Sequence, residues 1–320
     1  MASVLDNKRR LTVERRKRGY GQPLPGPIGF IGAGKVGTAL AALLHHRGAE
    51  VSAVAGRTKK AGHDMALGAG LSASVAQNRA GVLASASIVF LTVPDDAIGP
   101  LCDDIAANEG WKQGQGVVHC SGALPSSVLG AASAQGALVA SFHPLQAFAS
   151  LQAALDNMPG STFALEGDPA LVAQLKRLAE ALGGSVLQLR AEDKTLYHAA
   201  AVISSNYLVT LAALASDLLV RQGIAPDATS AVRHLVPLLR GTLDNLQTIG
   251  LPNALTGPIA RGDAGTISRH LRALEECAPD TADLYRHLAR LTLPIAEEKG
   301  TVDEADLGKL REALEMQDDF

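Results

Sequence analysis

The chain has 320 residues, of which 47% are hydrophobic and 19% charged, and its net charge is −3. That length allows two domains, the composition excludes a disordered polymer, and the overall charge argues against a nucleic-acid binder. Cys102, Cys120 and Cys277 form an odd, widely spaced set without CxxC pairing, which argues against a disulfide framework and for a reducing, cytoplasmic setting.

Residues 1–25 carry seven lysines and arginines against two acids and close on Gly and Pro. With no apolar residues arranged as an anchor, they read as a basic disordered tail ahead of the first strand. A nucleic-acid arm is the competing reading, which salt-sensitive binding would reveal. Residues 28–31 are a short apolar strand, followed at once by Gly32-Ala33-Gly34-Lys35-Val36-Gly37 and an Ala/Leu-rich helix. A strand, a GxGxxG turn and a helix in that order make a dinucleotide site. Gly32 permits the turn, Gly34 the approach of backbone to pyrophosphate, and Gly37 close helix–strand packing. The helix N-terminus adds free N–H donors.

A second strand at 50–55 ends in Gly56-Arg57-Thr58-Lys59-Lys60. Sites for NAD place an acid near this point. Here Arg57 and Thr58 stand instead, and a guanidinium matches a 2′-phosphate, so NADP is the expected cofactor. Residues 88–93 form a strongly apolar strand suited to the middle of a parallel sheet. Val93 and Pro94 at its end are expected to border the nicotinamide ribose. Strands at 116–120 and 137–142 end in Ser121-Gly122 and in His143-Pro144. The proline is expected to hold His143 in an extended turn, where an imidazole can exchange a proton near neutral pH. A structural histidine bonded to loop backbone is the alternative.

Two more short strands, at 162–165 and 186–189, complete a sheet of seven or eight. From residue 192 the pattern is helical with Gly/Pro punctuation. The expected fold is therefore α/β, a Rossmann doubly wound, mainly parallel sheet over residues 26–190, followed by an all-α domain over 191–320 for substrate and dimerisation. The longest apolar run, 199–220, is broken by Ser204, Ser205, Asn206 and Asp217 and reads as a buried core helix rather than a membrane span. His198 and Ser205 fall on one face of that helix and Asn206 farther round. The Thr256-Gly257-Pro258…Arg261-Gly262-Asp263 string is a polar turn in which Arg261 could clamp a carboxylate. Close helix packing or a tight interhelix connection accounts for the same residues without a ligand.

These motifs together resemble the NADP-dependent oxidoreductases that carry a C-terminal domain of unknown function (DUF2520 type), within the superfamily of pyrroline-5-carboxylate reductases and 6-phosphogluconate dehydrogenases. The resemblance covers residues 26–315. It implies a reductase that moves hydride between NADPH and the C=O or C=N of a small oxo acid or imine, with ketopantoate as the named substrate. Ser121-Gly122 resembles the substrate-binding Ser-Gly of hydroxyacid dehydrogenases, and His143-Pro144 the His-Pro of prephenate dehydrogenases. Those dehydrogenases place a Lys and an Asn one turn apart on the long helix. Here Lys194 is followed by His198, so the lysine mechanism is not carried over.

Under this reading His143 and His198 are the catalytic candidates, and Ser121, Ser205, Asn206 and Arg261 the substrate-binding ones. Gly32, Ala33, Gly34, Lys35, Val36, Gly37, Arg57, Thr58, Val93, Pro94 and Gly122 would hold the cofactor. No metal, nucleic acid or membrane partner is expected, and by analogy the chain forms a homodimer. A non-catalytic NADP(H)-binding regulator is the alternative.

Overall fold

A computed structural model describes residues 23–315, so most of the basic tail lies outside the described residues. The elements run β1 (Ile28–Ile31), α1 (Lys35–His46), β2 (Val51–Ala55), α2 (Lys59–Gly68), α3 (Arg79–Ser85), β3 (Ile88–Leu91), α4 (Asp95–Asn108), β4 (Gly116–His119), α5 (Gly130–Ala134), β5 (Leu138–Leu145), α6 (Leu151–Asn157), β6 (Thr162–Gly167), α7 (Pro169–Ala181) and β7 (Ser185–Gln188). Five helices follow: α8 (Lys194–Arg221), α9 (Ala228–Thr248), α10 (Ala264–Cys277), α11 (Pro279–Lys299) and α12 (Glu304–Glu315). The chain divides into two compact units, the first ending at Ser204 and the second beginning at Ser205.

The seven strands form one sheet in the order β2-β1-β3-β4-β5-β6-β7. All neighbours are parallel except β5 and β6. β1, β3 and β4 are buried along their whole length, as expected of parallel strands covered on both faces. On one face Phe30, Phe90, Phe142 and Phe163 form a continuous ring series across four strands, with neighbouring centroids 4.8–5.7 Å apart. The few aromatics are thus concentrated where they tie β1, β3, β5 and β6 into one core. In the second unit, Ile259, Ile267, Leu271, Ala289, Ala296, Leu310 and Leu314 make a separate apolar cluster.

The strand order reverses at β1, whose two sequence successors pair on either side of it. That switch point opens a crevice beyond the carboxyl ends of the strands. Gly32 there has φ +121°, and a side chain on it would meet the Thr92 carbonyl oxygen at 2.5 Å. Gly37 is tighter still, because a β-carbon would lie 2.3 Å from Thr92 Oγ1 and 2.7 Å from the Gly32 carbonyl oxygen. Thr92 Oγ1 donates to that same carbonyl at 2.7 Å.

Two expectations fail. His143 and Pro144 are not in a turn after β5 but inside it, opposite Ala164 and Phe163 of β6. Pairing with β4 has already stopped at His119 and Ser141, so on that side Pro144 has no ladder partner to lose, which is where a strand tolerates proline. The long helix α8 is also not a core helix: of its residues only Lys194 and Ser216 are buried. Leu196 is 78% exposed, and Ile203, Tyr207, Val209 and Leu211 are exposed too. By length and composition alone the helical stretch Ala191–Arg221 could cross a membrane. Apolar periodicity marks a face that needs covering, and among the described residues these side chains stay exposed.

Gly37→Ala puts a methyl where Thr92 and the Gly32 carbonyl already pack. We expect it to cost about 1–3 kcal/mol, the usual penalty for overpacking, read as a lower denaturant midpoint; an unchanged midpoint would contradict the packing described.

Candidate functional site

The crevice at the switch point is a cavity of about 860 Å³. Its walls include Gly32, Ala33, Gly34, Arg57, Thr58, Thr92, Val93 and Pro94. The volume lies in the ordinary range of small-molecule sites. At Gly34 the nearest atom to an added β-carbon is 3.6 Å away, so backbone is open to the cavity. No side chain caps the N-terminus of α1, which leaves its first amides to bond an anion. These features fit a dinucleotide pyrophosphate. Arg57 is exposed and forms no ion pair among the described residues. Thr58 caps α2 through its side chain, accepting from the Ala61 amide at 3.1 Å.

Gly37 packs behind the crevice and does not line it. Lys35 turns to the Ala149 carbonyl, 2.8 Å away, and neither it nor Val36 is in the cavity wall. Asn78 and Arg79 do line it and were not anticipated. Their signal is faint, an Asn that caps α3 by accepting from the Gly81 amide. Arg79 is paired with Asp104 and, at 2.7 Å, with Glu109, so its charge is already matched by protein.

The next strands carry a second cluster. The turn after β4, residues 121–126, is fastened from several directions. His119 is wholly buried. Its Nδ1 accepts from the Ser121 amide at 3.1 Å, and its Nε2 lies 3.3 Å from the Pro125 carbonyl oxygen. Ser121 Oγ donates to Asp95 at 2.6 Å and accepts from the Ala123 and Leu124 amides. Its single hydrogen is therefore committed, and Ser121 reaches a ligand only by releasing a bond within the turn. Ser126 gives both its amide and its hydroxyl hydrogen to the buried carboxylate of Glu166, at 2.7 and 2.6 Å.

At the apex of this turn sits Gly122. A β-carbon there would lie 2.7 Å from His198 Nδ1 and 2.9 Å from both Cε1 and Nε2 of His143. Glycine is what lets the two imidazoles close on the backbone, with their ring centroids 6.2 Å apart. His143 Nδ1 is 2.8 Å from the Tyr197 hydroxyl. His198 Nδ1 is buried and has no hydrogen-bond partner among the described residues. Tyr197 pairs with a residue 54 positions earlier, and no spacing rule reveals that. The cluster joins the crevice through α4: Asp95 bonds Ser121, while its neighbours Pro94 and Asp96 line the cavity.

Burial, and after it the nearby Lys194 charge, push His119 and His143 down to about 4. Burial also pushes Tyr197 up to about 12 and Lys194 down to about 8. At neutral pH both histidines are therefore neutral imidazoles and Tyr197 keeps its proton. Ser205, Asn206 and Arg261 belong to the second unit, and all three are exposed. The Arg261 turn is anchored by buried Ile259 and Ala260, and Asp263 caps α10 through the Thr266 amide.

The family described as a Rossmann-like domain matches residues 21–144, and the domain of unknown function DUF2520 matches residues 161–292. The chain therefore carries a Rossmann-like domain followed by a DUF2520 domain. Among solved structures it is similar to a candidate NADP oxidoreductase from Bacteroides fragilis, with 27% identity over 83% of this chain and 97% of that one, at a TM-score of 0.64. A Thermotoga maritima protein is 25% identical over 85% and 99% of the two chains, at 0.65. A pyrroline-5-carboxylate reductase from Coxiella burnetii shares the fold at 15% identity, over 89% and 97%, at 0.55. No curated protein matches the chain.

The histidines also predict how stability responds to acid. Each binds a proton less readily in the folded chain than in the unfolded one, so stability is full above about 6.5 and is lost as pH falls toward about 4. The slope is at most about 1.4 kcal/mol per pH unit for each ring. Thermal melts between pH 7 and 4 should show the decline, and His119→Gln should flatten it; a parallel decline in that variant would contradict the assignment.

Proposed function

We propose that the chain is an NADP-dependent reductase acting on the C=O or C=N of a small oxo acid or imine. The observation that carries this reading is the meeting of His143, Tyr197 and His198 around Gly122, one turn of chain away from a crevice built for a dinucleotide. The similarity to a candidate NADP oxidoreductase supports it. Bound NADPH would supply the hydride.

The chain's own residues bind and protonate. Arg57 and Thr58, with no acid beside them, suit a 2′-phosphate, and the open amides at Gly34 and the start of α1 suit the pyrophosphate. In this reading Tyr197 donates its hydroxyl hydrogen to His143 Nδ1, which takes the neutral ring in the tautomer protonated on Nε2. His143 then carries its own hydrogen on Nε2, on the Gly122 side. As the substrate oxygen or nitrogen gains electron density, Nε2 gives up this hydrogen and Nδ1 takes the one from Tyr197. The ring stays neutral throughout, so its low basicity is no obstacle; the tyrosinate then takes back the Nδ1 hydrogen as a solvent proton reaches Nε2, which restores both groups. His198 is the second ring against the same glycine, and Ser205, Asn206 and Arg261 stay as substrate-binding candidates. The three cysteines are unpaired, which suits the reducing cytoplasm.

The assembly we propose is a homodimer. Besides the exposed apolar residues of α8, α9 buries only Ala231, while Leu238, Leu243 and Leu246 on it are exposed. Light scattering should give twice the chain mass, and Leu238→Glu with Leu243→Glu should shift it toward one copy; a monomeric parent protein would refute this assembly.

The reductase reading is tested by calorimetry with NADPH and NADH, then by loss of NADPH absorbance against a panel of oxo acids and cyclic imines that includes ketopantoate and pyrroline-5-carboxylate. NADPH should bind more tightly, and Arg57→Ala should reduce that preference about tenfold or more, the worth of one charge-assisted phosphate contact. With an active substrate, Tyr197→Phe and His143→Ala should lower kcat by about 10²–10⁴, the usual contribution of a positioned acid–base group. Binding of neither nucleotide sinks the reading, and binding without any turnover would favour a regulator.

A further inference from the structure

Lys194, in the first turn of α8, is only 1% exposed. A buried ammonium normally sits against a carboxylate. No carboxylate lies within ion-pair distance of this one among the described residues. Its Nζ donates instead to two neutral oxygens, the Ser121 carbonyl at 3.0 Å and Ser141 Oγ at 2.8 Å. Ser121 precedes Gly122, against which His143 packs, and Ser141 lies two residues before His143 on β5. Residues two apart on a strand share a face, so the charge is set beside the imidazole from both directions.

We propose that Lys194 is a positioning residue of the histidine site: its buried ammonium ties the Ser121–Gly122 turn and strand β5 to the first turn of α8 and sets a positive charge beside the His143 ring. The groups facing this region are Asp95 from α4, His119 and Cys120 from β4 and its end, Glu166 from β6, and Tyr197 and His198 from α8. For His143, burial acts first, Lys194 next and His198 third, all against protonation, while Asp95 favours it. Tyr197 and Cys120 stay uncharged at neutral pH, both pushed up to about 12 by burial. Lys194 carries its positive charge at neutral pH. A neutral His143 is what leaves Nδ1 free to accept from Tyr197, so the catalytic consequence of this assignment rests on the reductase reading, whereas the electrostatic one does not.

The test reads the imidazole rather than turnover. In the full chain, the His143 carbon and nitrogen resonances are titrated in the parent protein and in Lys194→Met, which keeps the length and loses the charge. The His143 midpoint should rise by about one pH unit, the scale of one nearby charge in a partly buried site, while exposed His63 should not move. In the parent protein the His143 resonance should also show a second, smaller inflection near pH 8, where Lys194 discharges, absent from the variant. If Lys194→Met folds and the His143 midpoint stays within about 0.3 unit, a scale far below one nearby charge, the proposal is overturned. If the variant does not fold, the second inflection in the parent protein decides: its presence supports the proposal and its absence overturns it. A shifted midpoint in a protein that oxidises no NADPH would leave this assignment standing and remove the reductase reading.

Discussion

A buried positive charge that touches no carboxylate among the described residues, with Glu166 and Asp95 only farther off, constrains the groups around it. Desolvating an ammonium costs several kcal/mol even after relaxation, and hydrogen bonds to a charged donor return only about 1.5–3 kcal/mol each. Lys194 therefore needs its two oxygens held in place, and the chain holds them. Ser121 is fixed by His119, Asp95 and two amides of its own turn. Ser141 lies within β5 and reaches Glu166 on β6 at 3.4 Å, and Glu166 in turn clamps Ser126 at the far end of the turn. A single polar chain thus runs from α8 through β5 and β6 back to the loop after β4. Strand β6, antiparallel to β5 and parallel to β7, is what brings the Glu166 carboxylate into this chain.

Much of the first unit could be read from residue order. Runs at 28–31, 50–55 and 88–93, each followed by a turn and a helix, dictate parallel strands, and the glycines after the first mark the switch point. What could not be read depends on contacts between distant residues. Nothing near Tyr197 in the chain says that its hydroxyl meets an imidazole 54 positions earlier. Lys194 looks like an ordinary helix-start lysine until the fold encloses it, and its buried state then reverses the usual expectation that such a side chain faces water. Arg79 is a similar case, hidden in sequence and placed in the crevice wall by the way α3 begins.

The two structural surprises have one cause, which is that local patterns record what a residue prefers and not which neighbours exist. Proline after His143 suggests a turn because a sheet interior cannot use it. Here β4 ends two residues earlier, so β5 runs on with one side free and proline costs no ladder bond. The apolar run of α8 suggests burial because water disfavours it, yet a helix can be covered only by what packs on it.

Gly37 and Gly122 show the same geometric device used for two purposes. At Gly37 the absent side chain lets α1 lie against Thr92 and the end of β1, which sets the angle at which the helix N-terminus addresses the crevice. At Gly122 it lets two imidazoles rest on a peptide backbone that Lys194, His119, Asp95 and Glu166 have made rigid. Both sites need a close approach, and a close approach is useful only if the backbone being approached cannot retreat. Gly37 meets backbone braced by Thr92, and Gly122 sits on a turn braced at both ends. The rigidity of the turn is accordingly what fixes the backbone that His143 and His198 approach, and its buried polar bonds add to the apolar packing of Leu124.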